Sequence, residues 1–582
     1  MSEPTRHRTS PSGTGTRPSE TGTRRGFLAN SPLGIPAYRQ LYTGAVTTSM
    51  AYTMQSAMAG WLMASLSGSA LLVGLVQAAS TLPFLLFGLV SGSVSDLFDR
   101  RYVLVITHLM MGLATASVGV MAQQHVLQPW SLVASTLLCG LGYTFYQPAQ
   151  QASINGLVPR PLLPKAVALG SVAFNAARSV GPALAGLIAA LLGEGLAVMV
   201  ASLFFLPMLP AAMRAVPPRE VTSQVARETL WAGILSGMRF AAHARVLRAA
   251  LIINFGFCFC AAALWAMFPL VAQQRLGLAA DGYGFLYSTF GLGAVASALW
   301  LPRFLRQGSG ASRIIRAALV LWSAASLTVG LSRWVPQAVV GTFLAGMAWV
   351  GVLAGLSTVA QSIAPAWVRA RAVANNQISV QAGLALGSLF WGAMVNWTDL
   401  QFVLIGSAVV MAVFAVLTIR QPVRLGVDED VTPDGFLVAP AVHLQAEAVT
   451  GGGIRVRVQY AVAAAQEAAF SQAMQALRES RRRNGALRWR LARQAGEGTV
   501  MGPAGEGARV GTVAGTVAGA VAGTGGDTKT AVAPAAPASA GAARWEESFE
   551  LASALEWQRF PERMMQADRM AWEAVQATLA RS

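Results

Sequence analysis

The chain is 582 residues long, 54% hydrophobic and only 12% charged, about half the charged share of an ordinary soluble domain. That balance excludes a soluble enzyme with one large core and a disordered scaffold, and leaves a polytopic membrane protein. The formal charge is +17, with 43 Lys+Arg against 26 Asp+Glu. In so apolar a chain the excess reads as arginine facing anionic lipid, not nucleic acid. Cys139, Cys258 and Cys260 lie inside apolar runs with neither a disulfide framework nor a metal-ligand spacing, so no metal or cofactor is expected.

Residues 1–37 are rich in Ser, Thr, Gly, Pro and Arg and read as a disordered cytoplasmic tail. Thr23-Arg24-Arg25-Gly26-Phe27-Leu28 resembles a twin-arginine export signal. Pro32, Pro36 and Arg39 interrupt the apolar stretch such a signal needs, so a chance match in an arginine-rich tail is the better reading. From Leu41 to Ile419 apolar segments follow one another, each near the ~20 residues that cross a bilayer as a helix. About twelve are counted. They start near Leu41, Ala70, Tyr102, Trp130, Ala166, Leu196, Ala249, Gly282, Ile314, Gln337, Ala372 and Leu400.

The connecting loops separate by charge. One side carries Arg39, Arg100, Arg101, Arg160, Lys165, the Arg214–Arg248 stretch, Arg303, Arg306, Arg313, Arg316, Arg369, Arg371, Arg420 and Arg424; the other carries Arg275 and Arg333. By the positive-inside rule the rich side, with both termini, is cytoplasmic. The longest internal loop, 214–248, divides the spans into two sets, 38–213 and 249–424. Pro159, Ala166, Ala168, Ala176, Gly181 and Gly186 recur at a constant offset as Pro365, Ala372, Ala374, Ala382, Gly387 and Gly392. A parallel repeat of this kind marks a two-bundle transporter with its substrate site between the halves.

After a linker, 425–452, the pattern changes. Val456, Val458 and Tyr460 alternate as a half-buried strand, Phe470, Met474 and Leu477 form one helical stripe, and Leu487, Trp489 and Leu491 alternate again. Residues 496–541 form an Ala/Gly/Thr/Pro/Val low-complexity insertion. A strand at Trp545–Leu551 and helical segments from Ala554 to Leu579 follow. One small α+β domain, 453–582, interrupted by a flexible loop, accounts for all of it.

Several spans carry candidate site residues. Gly92 allows close helix approach, Asp96 puts a carboxylate where a helix N-terminus can meet it, and Arg100 and Arg101 can pair with acids or lipid. Together they form either a gate or a charged anchor. In the fifth span Asn175, Arg178, Gly181, Pro182 and Gly186 stand together, with Pro182 bending the helix. Arg178 is a cation deep inside a span; it binds an anionic or phenolic substrate, or a fixed structural partner such as Asn175. Tyr52, Gln55, Tyr143, Asn254, Trp265, Asn376 and Gln381 are the further cavity candidates. Asp96, Asp99, Glu194, Asp281 and Asp399 all lie at span ends, so no carboxylate is placed mid-membrane to carry a proton. His108 reads better as an interface anchor than as a coupling group. A coupling ion, with the proton the obvious choice, is left open.

Gly92-Ser93-Val94-Ser95-Asp96-Leu97-Phe98-Asp99-Arg100-Arg101 resembles the signature between spans two and three of the major facilitator superfamily, G-x-L-A-D-r-x-G-R-[KR], with Asp99 in place of the second glycine. The Gly181-Pro182…Gly186 pattern resembles the motif that marks exporters there. The stretch 364–372, the run 381–392 and Arg481-Arg482-Arg483-Asn484-Gly485-Ala486-Leu487-Arg488-Trp489 look like the branch of enterobactin exporters and transmembrane secretion effectors, whose members often carry such a soluble domain. The resemblance implies an all-α twelve-helix major facilitator fold of two six-helix bundles plus a C-terminal α+β ferredoxin-like domain. It also implies an inner-membrane exporter of an amphipathic small molecule (siderophore, drug or metabolite) working by alternating access. The first span has Ala51-Tyr52-Thr53-Met54 where relatives often have Gly-Asp or Gly-Thr, and the fourth lacks the arginine common in proton antiporters. The ferredoxin-like tail admits a monooxygenase reading. Trp557 and Pro561, however, occupy places where relatives tend to have histidines, which puts histidine chemistry in doubt, and a dimerising or regulatory tail is preferred.

Overall fold

The computed structural model describes residues 31–218, 230–306, 311–364, 368–420, 443–449, 453–494, 542–552, 560 and 566–579. The twin-arginine-like run, most of the N-terminal tail, the insertion 496–541, the linker residues 425–442, and Arg219, Pro365, Trp557 and Pro561 lie outside that set.

The membrane body is all helical. The N-terminal half comprises α1 (Pro36–Ser67), α2 (Ala70–Leu97), α3 (Arg100–Gln123), α4 (Pro129–Leu157), α5 (Leu163–Leu192) and a sixth span in two pieces, α6 (Glu194–Leu203) and α7 (Met208–Ala215). Pro207, just before α7, is the residue that cannot continue the first piece. A linker helix α8 (Leu230–His243) leads into the second half: α9 (Arg245–Leu270, continued by a π turn, Val271–Arg275), α10 (Ala280–Arg306), α11 (Ala311–Gly330), α12 (Val335–Ile363), α13 (Arg369–Val395) and α14 (Leu400–Leu417). The 214–248 loop is thus partly helical, and the seventh span starts at Arg245, earlier than the sequence pattern suggested.

Nine helices among the described residues are long and apolar enough to cross a membrane. The other three, α1, α4 and α10, carry more hydroxyls, amides and glycines and complete the two bundles by packing. The helix ends follow local chemistry. Prolines open α1, α4 and α5, where a missing N–H costs nothing. Asp99 and Asp399 cap α3 and α14, and Gly68, with φ 59°, closes α1 in the left-handed region.

The tail is a separate α+β unit with its own core, in which Val456, Val458, Phe470, Met474, Leu477, Phe549 and Trp572 pack together. Its strands are β1 (His443–Val449), β2 (Gly453–Ala463), β3 (Arg488–Gln494) and β4 (Ala542–Leu551), arranged antiparallel in the order β1-β2-β4-β3. Helices α15 (Glu467–Arg483) and α16 (Gln566–Leu579) accompany the sheet. Strand β1 falls within the stretch read as linker. Its only large apolar side chain is Leu444, so its alternation is weak, and it is held by backbone pairing with β2 instead. The other sheet face is polar, with Arg455 bonded to Glu550 at 2.7 Å.

The arginine run that marks the tail is structural in its buried members. Arg481 is 1% exposed and pairs with Glu547 at 3.3 Å. Glu547 also accepts from Tyr460 Oη at 2.6 Å and Trp489 Nε1 at 2.8 Å. Burial and this carboxylate hold the Tyr460 hydroxyl well above its usual pKa. Arg483 and Asn484 both reach Asp568 and tie α15 to α16. Gly485 has φ 129°, which only glycine adopts without strain.

Candidate functional site

The two bundles meet most closely toward the arginine-poor ends of their helices, through glycines. A Cβ on Gly186 of α5 would collide with the carbonyl of Ala280 on α10, and one on Gly284 would lie 2.6 Å from the Pro182 carbonyl. In the other half, a Cβ on Gly392 of α13 would lie 2.9 Å from the Ala70 carbonyl of α2, and Gly74 abuts Ser388. Gly181 and Gly387, also equivalent in the repeat, press instead on the first helix of their own bundle, against Thr53 and Phe259. The repeat seen in the sequence is therefore a repeat of backbone crossings.

The same ends are closed by side chains. Trp61 stacks on Tyr283 with centroids 5.4 Å apart. Its indole donates to Glu194 at 2.7 Å, and Gln273 Nε2 donates to Ser65 Oγ at 2.9 Å, bridging α1 to the π turn of the other half. Arg275, one of two cations expected on that side, donates to the carbonyls of Gly330 and Ser332 and so caps α11. Toward the arginine-rich ends, among the described residues, a Cβ at Gly92 or Gly170 would meet no atom within 4 Å.

Arg178 sits between the halves. Its guanidinium carbon lies 5.0 Å from the ring centre of Phe174 on its own helix, and 5.5 and 5.6 Å from Trp265 and Trp349 across the bundle interface. Trp265 is stacked on Trp349 at 5.2 Å and meets Phe290 and Tyr287 edge-on. A cation at mid-bilayer costs about 2.5–3.5 kcal/mol, and a desolvated cation–π contact returns about 2 kcal/mol. Three rings offset most of that cost without using a single N–H. The guanidinium makes no hydrogen bond or ion pair among the described residues, so its five donors stay available to a ligand. Asn175 is not its partner; that amide donates to the Ser171 carbonyl at 2.8 Å.

Facing this cluster from the first half, Tyr52 and Tyr143 stack with centroids 4.0 Å apart, and Gln55 is buried on α1. A small void lined by Ser56, Gln77, Thr136, Trp265, Tyr283 and Tyr287 lies between the halves, about 20 Å³ in volume, room for one water. The structure thus brings Tyr52, Tyr143, Arg178 and Trp265 into the central region. The other candidates are placed elsewhere. Asn254 and Asn376 are fully buried and bonded to each other at 2.5 Å, a tie between α9 and α13 instead of a cavity wall. Gln381 is half-buried on α13 and makes no side-chain hydrogen bond among the described residues. Gly92 mediates no close helix contact among the described residues. Arg100 donates to the Ala152 carbonyl at 3.1 Å and Arg101 pairs with Asp99 at 3.0 Å, both inside the first bundle. Asp96 stands in the last turns of α2, and its side chain lies outside the described set. His108 is packed inside the first bundle, 2.9 Å from Thr48 Oγ1 and 2.7 Å from the Leu104 carbonyl.

Sequence reasoning missed Phe174, Tyr287, Phe290 and Trp349. The spacing of Tyr283, Tyr287 and Phe290 on one helical face was a usable signal; that Trp349 meets Trp265 was not visible.

Two repeated bundles of six spans, closed against each other at one end and enclosing a cation in an aromatic cage, define a secondary transporter of the major facilitator type. More narrowly, the chain belongs to the transmembrane secretion effector family, whose model matches residues 28–502. It is 25% identical over 380 residues to the multidrug efflux pump Tap of Mycolicibacterium fortuitum, covering 62% of this chain and 90% of that one. It is 28% identical over 156 residues to the staphyloferrin A transporter of Staphylococcus aureus, covering 25% of this chain and 39% of that protein. Among solved structures it superposes on the nucleoside transporter NupG with a TM-score of 0.53 at 16% identity, covering 66% of this chain and 99% of that one, a likeness of fold.

Proposed function

We propose that the protein is a cytoplasmic-membrane exporter of an amphipathic small molecule bearing an anionic or phenolic group, moved by rocking of the two bundles. The observation that carries this reading is Arg178, paired with rings from both halves and with no carboxylate, so that an acidic ligand completes its coordination while an aromatic body stacks on Trp265 and Trp349. The arginine-rich loops, by the positive-inside rule, support a cytoplasmic position for both termini and the tail. The state described, closed at the arginine-poor side, is the one that admits cargo from the cytoplasm. Export is further supported by the efflux pumps among its relatives and by the Gly181-Pro182…Gly186 helix that forms the crossing. No carboxylate appears in mid-span among the described residues, which leaves the coupling ion, a proton by family habit, to be carried elsewhere.

The test is accumulation of matched compounds in a drug- and siderophore-sensitive host. Expression should lower uptake of an acidic amphiphile, and Arg178→Gln should abolish that effect at unchanged membrane abundance, while a neutral amphiphile is affected less. Equal loss for neutral and acidic cargo would assign Arg178 to bundle packing instead.

A further inference from the structure

Where the tail meets the membrane body, the cleft between them is strongly cationic. Arg239 of the linker helix donates to the Gly485 carbonyl at 3.0 Å, and Arg245 pairs with Glu479. Beside these ties lies a cleft of about 250 Å³, lined on one side by Ala242, His243, Arg245 and Arg248 and on the other by Gln475, Arg478, Glu479 and Arg482. The residues from α15 stand at positions i, i+3, i+4 and i+7, one stripe of that helix, opposite the Phe470/Met474/Leu477 stripe that fills the tail's core.

Four arginines face one glutamate, a formal surplus of three positive charges. The surplus falls at the first turn of α9, whose unpaired N–H groups add positive potential and whose N-cap, Ala244, offers no side-chain oxygen to them. Glu479 is already engaged by Arg245. Arg478 lies over the Trp489 ring at 5.6 Å, and Arg248 reaches only the Ala242 carbonyl, at 3.3 Å. Neither Arg248 nor Arg482 has an ion pair among the described residues. Like charges brought face to face across an interface cost energy unless an anion sits between them. Arginine forks suit a phosphate better than any other common anion.

We propose that this cleft is a binding site for a phosphate-bearing anion, which bridges α9 and α15 and clamps the tail to the transporter. A soluble phosphoester and an anionic phospholipid headgroup present the same chemistry; the site lies at the start of a spanning helix, within reach of both. The site is independent of the central cargo cavity, so its failure leaves the transport reading intact.

The experiment uses the full-length protein, following amide exchange in α15 and the melting transition. One arm is neutral detergent with and without pyrophosphate; the other is phosphatidylcholine nanodiscs with and without phosphatidylglycerol. Added anion should slow exchange in α15 and raise the melting transition. A response to pyrophosphate identifies a soluble ligand, and a response to phosphatidylglycerol alone identifies lipid. Arg248→Gln/Arg482→Gln should weaken apparent anion affinity roughly tenfold or more, which corresponds to about 1.4 kcal/mol. Glu479→Gln should strengthen it, which controls for variants that simply detach the tail. Silence in both arms, or a double variant indistinguishable from the parent protein, overturns the proposal.

Discussion

The two halves of the membrane body share a backbone plan and differ in what they fill it with. Gly186 crosses α10 and Gly392 crosses α2 at corresponding places; Gly181 and Gly387 press on α1 and α9 in the same way. The first half lines its interior with hydroxyls and phenols: Thr48 on His108, Thr53 on the Ala177 carbonyl, Tyr52 on Tyr143. The second is packed with rings, Trp265, Trp322, Trp349, Phe257 and Phe290, and a buried Asn254–Asn376 bond. Symmetry is preserved where helices must touch closely, because only a missing side chain lets backbones approach. It breaks in the side chains that fill the space between those crossings. On the proposed transport reading, a central site would present one half's polar groups and the other's aromatic surface to the same molecule, with Arg178 between them.

The largest effect should come from breaking that shared plan. Gly186→Val and Gly392→Val each force a branched side chain into a carbonyl of the opposite bundle; overpacking of this kind costs about 1–3 kcal/mol. Both should abolish transport and, by cysteine accessibility, open the arginine-poor side. If only one does, the halves are not equivalent at the crossing. Next, Asn254→Leu leaves a buried amide on Asn376 unpaired and should lower stability in detergent by about 1–3 kcal/mol, with much of it recovered in Asn254→Leu/Asn376→Leu. That recovery would separate a structural bond from a ligand contact. Smaller again, Trp61→Phe removes one hydrogen bond to Glu194, worth about 1 kcal/mol because that partly exposed carboxylate can turn to water, and keeps the stack on Tyr283; labelling at Ser65→Cys should then increase modestly. Gly92→Ala, with open space around it, should move the melting temperature little, as for an ordinary surface change of about 0.5 kcal/mol. A large fall would show that α2 is crowded there in the state that predominates in detergent.

Much of this is legible in the chain alone. Apolar runs of spanning length, arginine in alternate loops and glycines at a constant offset follow from the solvent each residue must meet, and those constraints are local to the chain. The strands at Val456–Tyr460 and Leu487–Leu491 are visible for the same reason, since period-two alternation is written into neighbours. Strand β1 is not, because its pairing with β2 does not need large side chains. Asn254 and Asn376 read as cavity polar groups until the α9–α13 packing puts each opposite the other.

The sequence by itself thus determined which segments enter lipid, which side of them carries positive charge, and that the body is a doubled unit, all consequences of transferring single segments from water to hydrocarbon. Only the tertiary structure decided which polar groups were used up on each other and which were left without an ion pair among the described residues. It set Arg178 among three rings and left Arg248 and Arg482 in a cleft against the tail. Those outcomes depend on residues hundreds of positions apart arriving within a few ångströms, and hydrogen bonding, unlike hydropathy, is a property of pairs.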